Sequence, residues 1–312
     1  MMGNSLLSEV GIGQETTFGT AVASSRYFSM VNVNITQTIP RLREDYQFGV
    51  GSTPQADNGR LRIAGNIDGI HARADILGGL LRGVLGDPTD AGSDPYTHTY
   101  VDAATKFSTA AALPPYTVNV HYNTRIHAYD GGQLTTLTLN QARDQRLLLN
   151  TAWIFKGMAD ISSESPTLES NTPFKFSQLT VQRNSSNFTY FEDLTISINA
   201  PIETEELLDA SDEITCTERS GPVRVEVSGT VSSKDTTLYT DFKTPTVEDW
   251  TFTWSDGTDS LAITIDRLNI EAFGEPISGA GRQTFTVTGV AEYDTSNTRS
   301  IQAVLTNSVA SY

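Results

Sequence analysis

The sequence is short of cysteine, of lysine and of long apolar runs, and each shortage closes off a class of answer. Cys216 is the single cysteine, so no disulfide within the chain braces the fold and an oxidising compartment is not needed for stability. Its neighbours in Asp212-Glu-Ile-Thr-Cys-Thr-Glu218 are acidic; negative charge raises a thiol pKa and argues against a nucleophile there. Lysine and arginine together number 21 against 37 aspartate and glutamate, five of the bases being lysine, and the formal net charge is −16. A surface that grips nucleic acid needs the opposite sign, so the acidity reads either as solubility or as a functional field. No apolar run approaches a membrane span. The opening Met1-Met-Gly-Asn-Ser-Leu-Leu-Ser-Glu9 has no basic region and no long apolar core, so it is not read as a signal peptide. The expectation is a soluble chain made in the cytoplasm, with no membrane partner.

Chemistry-bearing residues are equally sparse. The histidines are His71, His98, His121 and His127. His121 and His127 fall on neighbouring predicted strands, yet nothing at suitable spacing completes a zinc set; they read as partnered or exposed strand residues. No strand–Ser–helix elbow supports a triad. Gly11-Ile-Gly13 lacks the third glycine, the lysine and the preceding strand of a phosphate loop. Glu203, Glu205, Glu206, Asp209, Asp212 and Glu213 cluster, but without the Asp/Asn alternation, central Gly and closing Glu of a calcium loop. They read as a solvated or interface loop. No catalytic residue, cofactor or metal is expected.

What is present points to a mainly β protein. At 312 residues the chain has room for two domains. Thr, Ser, Asn and Gly are abundant where helical proteins carry Leu, Glu and Lys. Residues 3–25 read as an extended arm. Alternation predicts strands over 30–36, 60–67, 116–122, 125–129, 134–139 and 147–155, with Asp130-Gly-Gly132 as a tight turn between two of them. Between Asp68 and Gly86 the period becomes helical: Ile70, Ala74, Leu77, Leu81 and Val84 share a face, widened by Ile76, Leu80 and Leu85. Asp68 is the expected cap and Gly86-Asp-Pro88 the stop; Gly78, Gly79 and Gly83 leave this helix dependent on packing. Residues 87–116 read as an irregular insertion and 160–173 as a linker.

The second half repeats the plan. Leu194-Thr-Ile-Ser-Ile198 mirrors Val31-Asn-Val-Asn-Ile35, long loops follow at 41–60 and 200–221, and Leu61-Arg-Ile-Ala-Gly-Asn-Ile67 aligns with Val225-Glu-Val-Ser-Gly-Thr-Val231. Residues 235–244 take the helix's place, and strands follow at 250–254, 261–265, 268–273 and 284–293. This predicts an internal duplication: an arm over 1–25, a first β module over 26–160, a linker and leading strand over 161–185, and a second module with its tail over 186–312. Two open sandwiches leave sheet edges that water or another chain must satisfy. Copies that pair edges head to tail close into rings or run on as filaments.

Gly11-Ile-Gly-Gln-Glu-Thr-Thr-Phe-Gly-Thr20 with Arg26-Tyr-Phe28, then Gly65-Asn-Ile-Asp68 leading into Leu77-Gly-Gly-Leu-Leu81 and Leu85-Gly86, and then Tyr96-Thr-His-Thr-Tyr100, taken in this order, resemble the major tail tube proteins of tailed phages and archaeal tailed viruses. Pro276-Ile-Ser-Gly279, Phe285-Thr-Val287, Tyr293-Asp294 and Leu305-Thr-Asn307 are similar to that family's C-terminal end. The resemblance implies two tandem tail-tube-type β-sandwich modules with a flanking helix near residues 70–85 and long loops. It implies a virion tail protein whose inner sheets join into a barrel, whose rings stack into a tube, and through which double-stranded DNA passes without specific binding. Two modules per chain favour a trimeric, pseudo-six-fold ring over a hexamer of whole chains. Terminator, tape measure and distal tail proteins are the implied further partners. Tyr46, Phe48, Glu205, Glu206, Leu207 and Asp209, in the paired long loops, are the expected inter-ring contacts. Acidic side chains on the lining strands would repel DNA and keep its transit free. Two other readings stay open: another virion component, such as a decoration or baseplate protein, and a carbohydrate-binding sandwich or glycosidase in which Trp153, Trp250 and Trp254 stack sugars. Strand alternation places those tryptophans in the core instead.

Overall fold

A computed structural model describes residues 9–28, 32–43, 56–102, 113–122, 125–167, 171–208, 211–235, 237–244, 246–277 and 282–312. The first half carries β1 (Glu9–Gln14), β2 (Arg26–Phe28), β3 (Asn32–Thr38), β4 (Arg41–Arg43), β5 (Ala56–Asn58), β6 (Arg62–His71) and helix α1 (Ala74–Leu85). It continues with β7 (Thr89–Gly92), β8 (Tyr96–Val101), β9 (Tyr116–Tyr122), β10 (Arg125–Ala142), β11 (Leu148–Phe155) and β12 (Gly157–Ile161). The second half carries β13 (Leu179–Arg183), β14 (Ser186–Asn187), β15 (Phe191–Asn199), β16 (Ile202–Glu205), β17 (Cys216–Arg219), β18 (Arg224–Ser232) and helix α2 (Thr237–Lys243). It ends with β19 (Glu248–Ser255), β20 (Ser260–Gly274), β21 (Thr284–Ala291) and β22 (Gln302–Asn307). The protein is mainly β, as its composition predicts.

One layer is an antiparallel sheet of eight strands in the order β3–β6–β11–β10–β15–β18–β21–β20. Alternation decides its faces. In β15, Leu194, Ile196 and Ile198 are buried while Thr195 and Ser197 lie on the other side. The other layer consists of β2–β1–β9–β10–β12 over the first half, and of β14–β13–β19–β20–β22–β8–β7 over the second. Thus β7 and β8, in the stretch read as an irregular insertion, extend a sheet of the second half. Their alternation is short and starts at Thr89, just past the helix stop, which hides it.

The strands β10 and β20 belong to both layers. The early part of β10 pairs with β9 and β12, and its later part with β11 and β15. Asp130-Gly-Gly132 is therefore not a hairpin turn. It is the bend at which one strand leaves the sheet it forms with β9 and β12 for the eight-stranded one. Gly131 has φ +58, and a Cβ on Gly132 would stand 2.6 Å from the Tyr116 carbonyl oxygen, so side chains are excluded there. β20 makes the same crossing near Asp266-Arg267: Ser260–Thr264 pair with β22 and Leu268–Gly274 with β21. The two segments read separately at 261–265 and 268–273 are one strand.

Helix α1 begins at Ala74, later than the sequence pattern suggests, because Asp68 is still paired with Asn32 in the ladder. Arg73, extended and without a side-chain cap, precedes it, and Gly86 ends it at φ +89. Ten of its twelve residues are buried. Two of its glycines are close-packed: a Cβ on Gly78 would stand 2.1 Å from the Tyr312 ring and one on Gly83 3.2 Å from Leu134. The C-terminus is latched there, Tyr312 Oη and Asn307 Nδ2 both donating to the Ala74 carbonyl at 3.2 and 3.1 Å. The segment read as an arm is also built in. β1 pairs along β9, with Val10 and Ile12 in the core. In the second half α2 is a shorter counterpart with Leu238 as its buried residue. Asp235 accepts the Thr237 and Leu238 N–H groups at 2.9 and 3.0 Å and caps it.

Candidate assembly surface

The halves meet through β10 and β15. Seven residue pairs run from Thr136↔Asn199 to Ala142↔Asp193. On the core face Leu137, Leu139, Ile196 and Ile198 are buried. On the opposite face the Thr138 and Ser197 hydroxyls meet at 3.3 Å, and Thr195 Oγ1 donates to Asn140 Oδ1 at 3.0 Å. A bulge lies just before the junction: β10 slips between Leu134 and Thr136, and the bulged Thr135 turns its carbonyl to the Ala200 N–H at 2.8 Å. Trp254 Nε1 of the second half's outer sheet donates to Gln141 Oε1 at 3.1 Å, so the joint is braced from behind.

The outermost strands of the eight-stranded sheet have no such partner among the described residues. β3 pairs with β6 alone, and beyond Leu268 the inner part of β20 pairs with β21 alone. Both leave an edge of unpaired N–H and C=O groups. Each edge also carries an exposed aliphatic residue, Ile39 (39% exposed) beside β3 and Ile277 (85%) beyond β20.

Ladder geometry relates the two halves without any sequence alignment. Last in their ladders are Thr38↔Arg62 in the first half and Asn199↔Arg224 in the second. Two residues further on, Pro40 accepts from Gly59 N–H at 2.7 Å, and Pro201 from Ser220 N–H at 3.0 Å. Three residues into the next strand, Gly65 faces Trp153 and Val227 faces Gly289. Those partners face Leu134 and Ile270, and there both ladders slip by one residue, to Thr136↔Ala152 and Ala272↔Thr288. The correspondence therefore sets Gly65 against Val227, two residues from the sequence alignment with Gly229. A shift of two keeps every side chain on its face, which is why pattern alone does not detect it.

Of the expected contact residues, Tyr46, Phe48 and Asp209 lie outside the described residues. Glu205 and Glu206 are engaged within the chain. Cys216 Sγ donates to Glu205 Oε2 at 2.8 Å inside the β16–β17 hairpin, and Glu206 takes Arg62 Nε and Nη2 at 3.1 Å each. Arg60 donates to the Glu213 carbonyl at 2.8 Å and to the Leu207 carbonyl. This hairpin of the second half therefore grips the strand β6 of the first. Leu207 and Leu208 are exposed at its tip. Sequence reasoning missed the grip because both arginines lie about 145 residues away in the chain, and only the β10–β15 joint brings them close.

Three of the histidines lie beside acidic or carbonyl partners. His121 Nε2 lies 2.9 Å from Glu164, His127 Nε2 3.3 Å from Asp160, and the buried His98 lies between Asp90 Oδ1 and the Val309 carbonyl at 2.7 and 2.8 Å. Burial opposes the charge of Glu164, but bonds from Ser24 N–H, His121 and Tyr27 outweigh it and lower the pKa. The Glu205 hydrogen bond and neighbouring acids push the Cys216 thiol up to about 11. Trp153, Trp250 and Trp254 are core residues, at most 2% exposed. Among the described residues no group of three or more His, Cys, Asp or Glu could hold a metal ion, and no helix is long and apolar enough to cross a membrane.

The solvent face of the eight-stranded sheet carries hydroxyl and amide groups across its middle, among them Thr36, Asn66, Asn150, Thr138, Ser228 and Thr288, together with the carboxylates of Asp193 and Glu226. Arg62 and Arg224 sit at one end, where β6 and β18 begin, and Asp68 near the other. A comparison with curated proteins gives no match. A family model described as phage tail tube protein matches residues 5–299: the chain belongs to the phage tail tube family, structural proteins of the virion tail.

Proposed function

We propose that this chain closes with copies of itself into a ring, that rings stack into a tube, and that the genome leaves through its bore. The observation that carries the reading is the pair of unpaired margins on one long sheet, each equivalent to a strand that is paired at the internal joint. A sheet that can continue past both ends and twists in one sense closes into a barrel.

Strand arithmetic supports three copies. Strands about 4.8 Å apart and tilted by about 40° each take roughly 6 Å of circumference. With eight strands per chain, two, three and six copies make backbone cylinders about 32, 48 and 96 Å across. Side chains take about 5 Å from each wall, half the usual spacing between packed sheets. The bores are then about 22, 38 and 86 Å, for a duplex roughly 20 Å wide. Three copies clear a hydrated duplex without a loose fit.

The core face is packed, so the bore is lined by the hydroxyl and amide face. On this reading the lining is mostly uncharged, with Arg62, Arg224, Asp68, Asp193 and Glu226 as its charged groups, where the sequence led to an expectation of acidic side chains. Ser, Thr and Asn offer a phosphate backbone neither the cationic partners that release counterions nor strong repulsion, and DNA slides past without a favoured register. Most of the net charge of −16 then lies outside the bore. The exposed Leu207–Leu208 tip is suited to contact between stacked rings, and terminator, tape measure and distal tail proteins would meet the tube at its ends.

The test is negative-stain imaging of concentrated protein. Open tubes with a stain-filled bore near 40 Å, about the width the strand arithmetic gives, are expected. A chain that stays monomeric at every concentration and salt level tried would end this reading.

A further inference from the structure

We propose that the contact between chains copies the contact inside each chain, residue for residue. β20 of one copy plays the part of β10, and β3 of the next plays the part of β15. The inference rests on the ring reading above and adds its register.

The register follows from the ladders. Ala272 corresponds to Thr136 and Thr38 to Asn199, and Thr136 faces Asn199 at the internal joint. Ala272 therefore faces Thr38 of the next copy. Continuing antiparallel, Phe273 faces Gln37, Gly274 faces Thr36, Pro276 faces Asn34 and Ile277 faces Val33. The exposed Ile277 gains an apolar partner. Glu271, the bulged residue of β20, corresponds to Thr135, so its carbonyl receives the Ile39 N–H as Thr135 receives that of Ala200.

Pro276 supplies an independent check. At the internal joint the Ala200 N–H to Thr135 bond makes Thr136/Asn199, and every second pair after it, the pairs that do not exchange hydrogen bonds. Asn140 is in this set, and Pro276 corresponds to Asn140. A proline is tolerated where no N–H is owed to the neighbour, and that is where this one falls. Its missing donor is on the β21 side instead, where the ladder ends at Gly274↔Thr286.

The test is a disulfide between copies, made in a Cys216→Ser background. Paired residues that exchange no hydrogen bonds lie close enough for a bridge, whereas diagonal neighbours about 7–8 Å apart do not. Thr38→Cys with Ala272→Cys, both exposed, should cross-link under mild oxidation into closed covalent rings on non-reducing gels. Thr36→Cys with Ala272→Cys should not. Ile39→Pro, which removes the donor to Glu271, should abolish assembly while leaving the melting temperature of the separate chain unchanged. Tubes that form without the Thr38–Ala272 cross-link, or with the Thr36 one, or that survive Ile39→Pro, overturn this register and leave the tube reading standing. A wild-type chain that never assembles removes both.

Discussion

Two edges of one sheet, related by ladder geometry, meet different fates in the single chain. At the internal joint the edges of β10 and β15 are paired, bulge-latched by Ala200 and sealed by buried leucine and isoleucine. At the margins, β20 and β3 carry equivalent backbone with their bonds unmade. The side chains differ accordingly. Ile198 is fully buried and its counterpart Gln37 is exposed; Ala200 is fully buried and its counterpart Ile39 is not. The joint is written into the core of the chain. The margin carries polar residues such as Gln37 and Thr38 beside the exposed Ile39 and Ile277, and polar edge positions limit promiscuous pairing before assembly.

The largest expected effect breaks the joint. Ile198→Ala should destabilise the chain by about 2–5 kcal/mol, as core truncations do, whereas Gln37→Ala at the counterpart should shift stability by no more than about 0.5 kcal/mol. Urea unfolding midpoints of the two variants measure this. Equal effects would mean that the two edges are not counterparts.

Next comes the latch. Ala200→Pro removes the donor to the carbonyl of half-buried Thr135, at a cost of about 0.5–1.5 kcal/mol. The same substitution at Ile39 should cost the separate chain nothing, because the bond it would make has not formed. Thermal melts at concentrations too low for assembly give the contrast.

A smaller effect separates chain stability from assembly. Asp130 lies at the bend of β10, away from both edges. Burial, with help from Glu15 and Glu213 and against Lys156, pushes its pKa up to about 6. An acid whose folded pKa is raised binds its proton more tightly when folded. Stability from this group is therefore gained as pH falls through 6 and is reduced above that. Asp130→Asn should raise the melting temperature at pH 7.5, the gain should fade by pH 4.5, and tube formation at pH 7.5 should be unchanged. A variant destabilised at pH 7.5 would show that the charge is needed where it is.

Composition and alternation were enough to place most strands and the helix, because those depend on which face each residue buries. They did not show that 125–129 and 134–139, or 261–265 and 268–273, are single strands. Gly131-Gly132 looks the same in sequence whether the chain reverses or only bends, and the layer behind decides. Nor did they give the register between halves, since a shift of two leaves the pattern intact. The acidic loop reads from sequence as a solvated or interface loop, and its grip on Arg60 and Arg62 within the chain depends on contacts distant in sequence. The mostly uncharged middle of the eight-stranded sheet's solvent face was hidden by the net charge, which says how many acids there are and nothing of where they lie.

The smallest expected effect tests whether the hairpin's grip is copied along with the register. Arg62 is held by Glu206 of the β16–β17 hairpin through two 3.1 Å contacts. Its counterpart Arg224 has only a 3.5 Å contact with Glu226 two residues on. Both arginine side chains are about 60% exposed, so a pair of this kind is worth about 0–1 kcal/mol. If the external contact copies the internal one, the β4–β5 hairpin of the next copy reaches Arg224 as β16–β17 reaches Arg62. Arg62→Ala should then lower the stability of the separate chain by a few tenths of a kcal/mol. Arg224→Ala should leave that stability alone and raise the protein concentration needed for tubes by about twofold to threefold, the same few tenths expressed as an equilibrium constant. A concentration series of light scattering reads the second quantity. An Arg224→Ala variant that assembles at the wild-type concentration would confine the grip to the internal joint and limit the copying to the strand ladder alone.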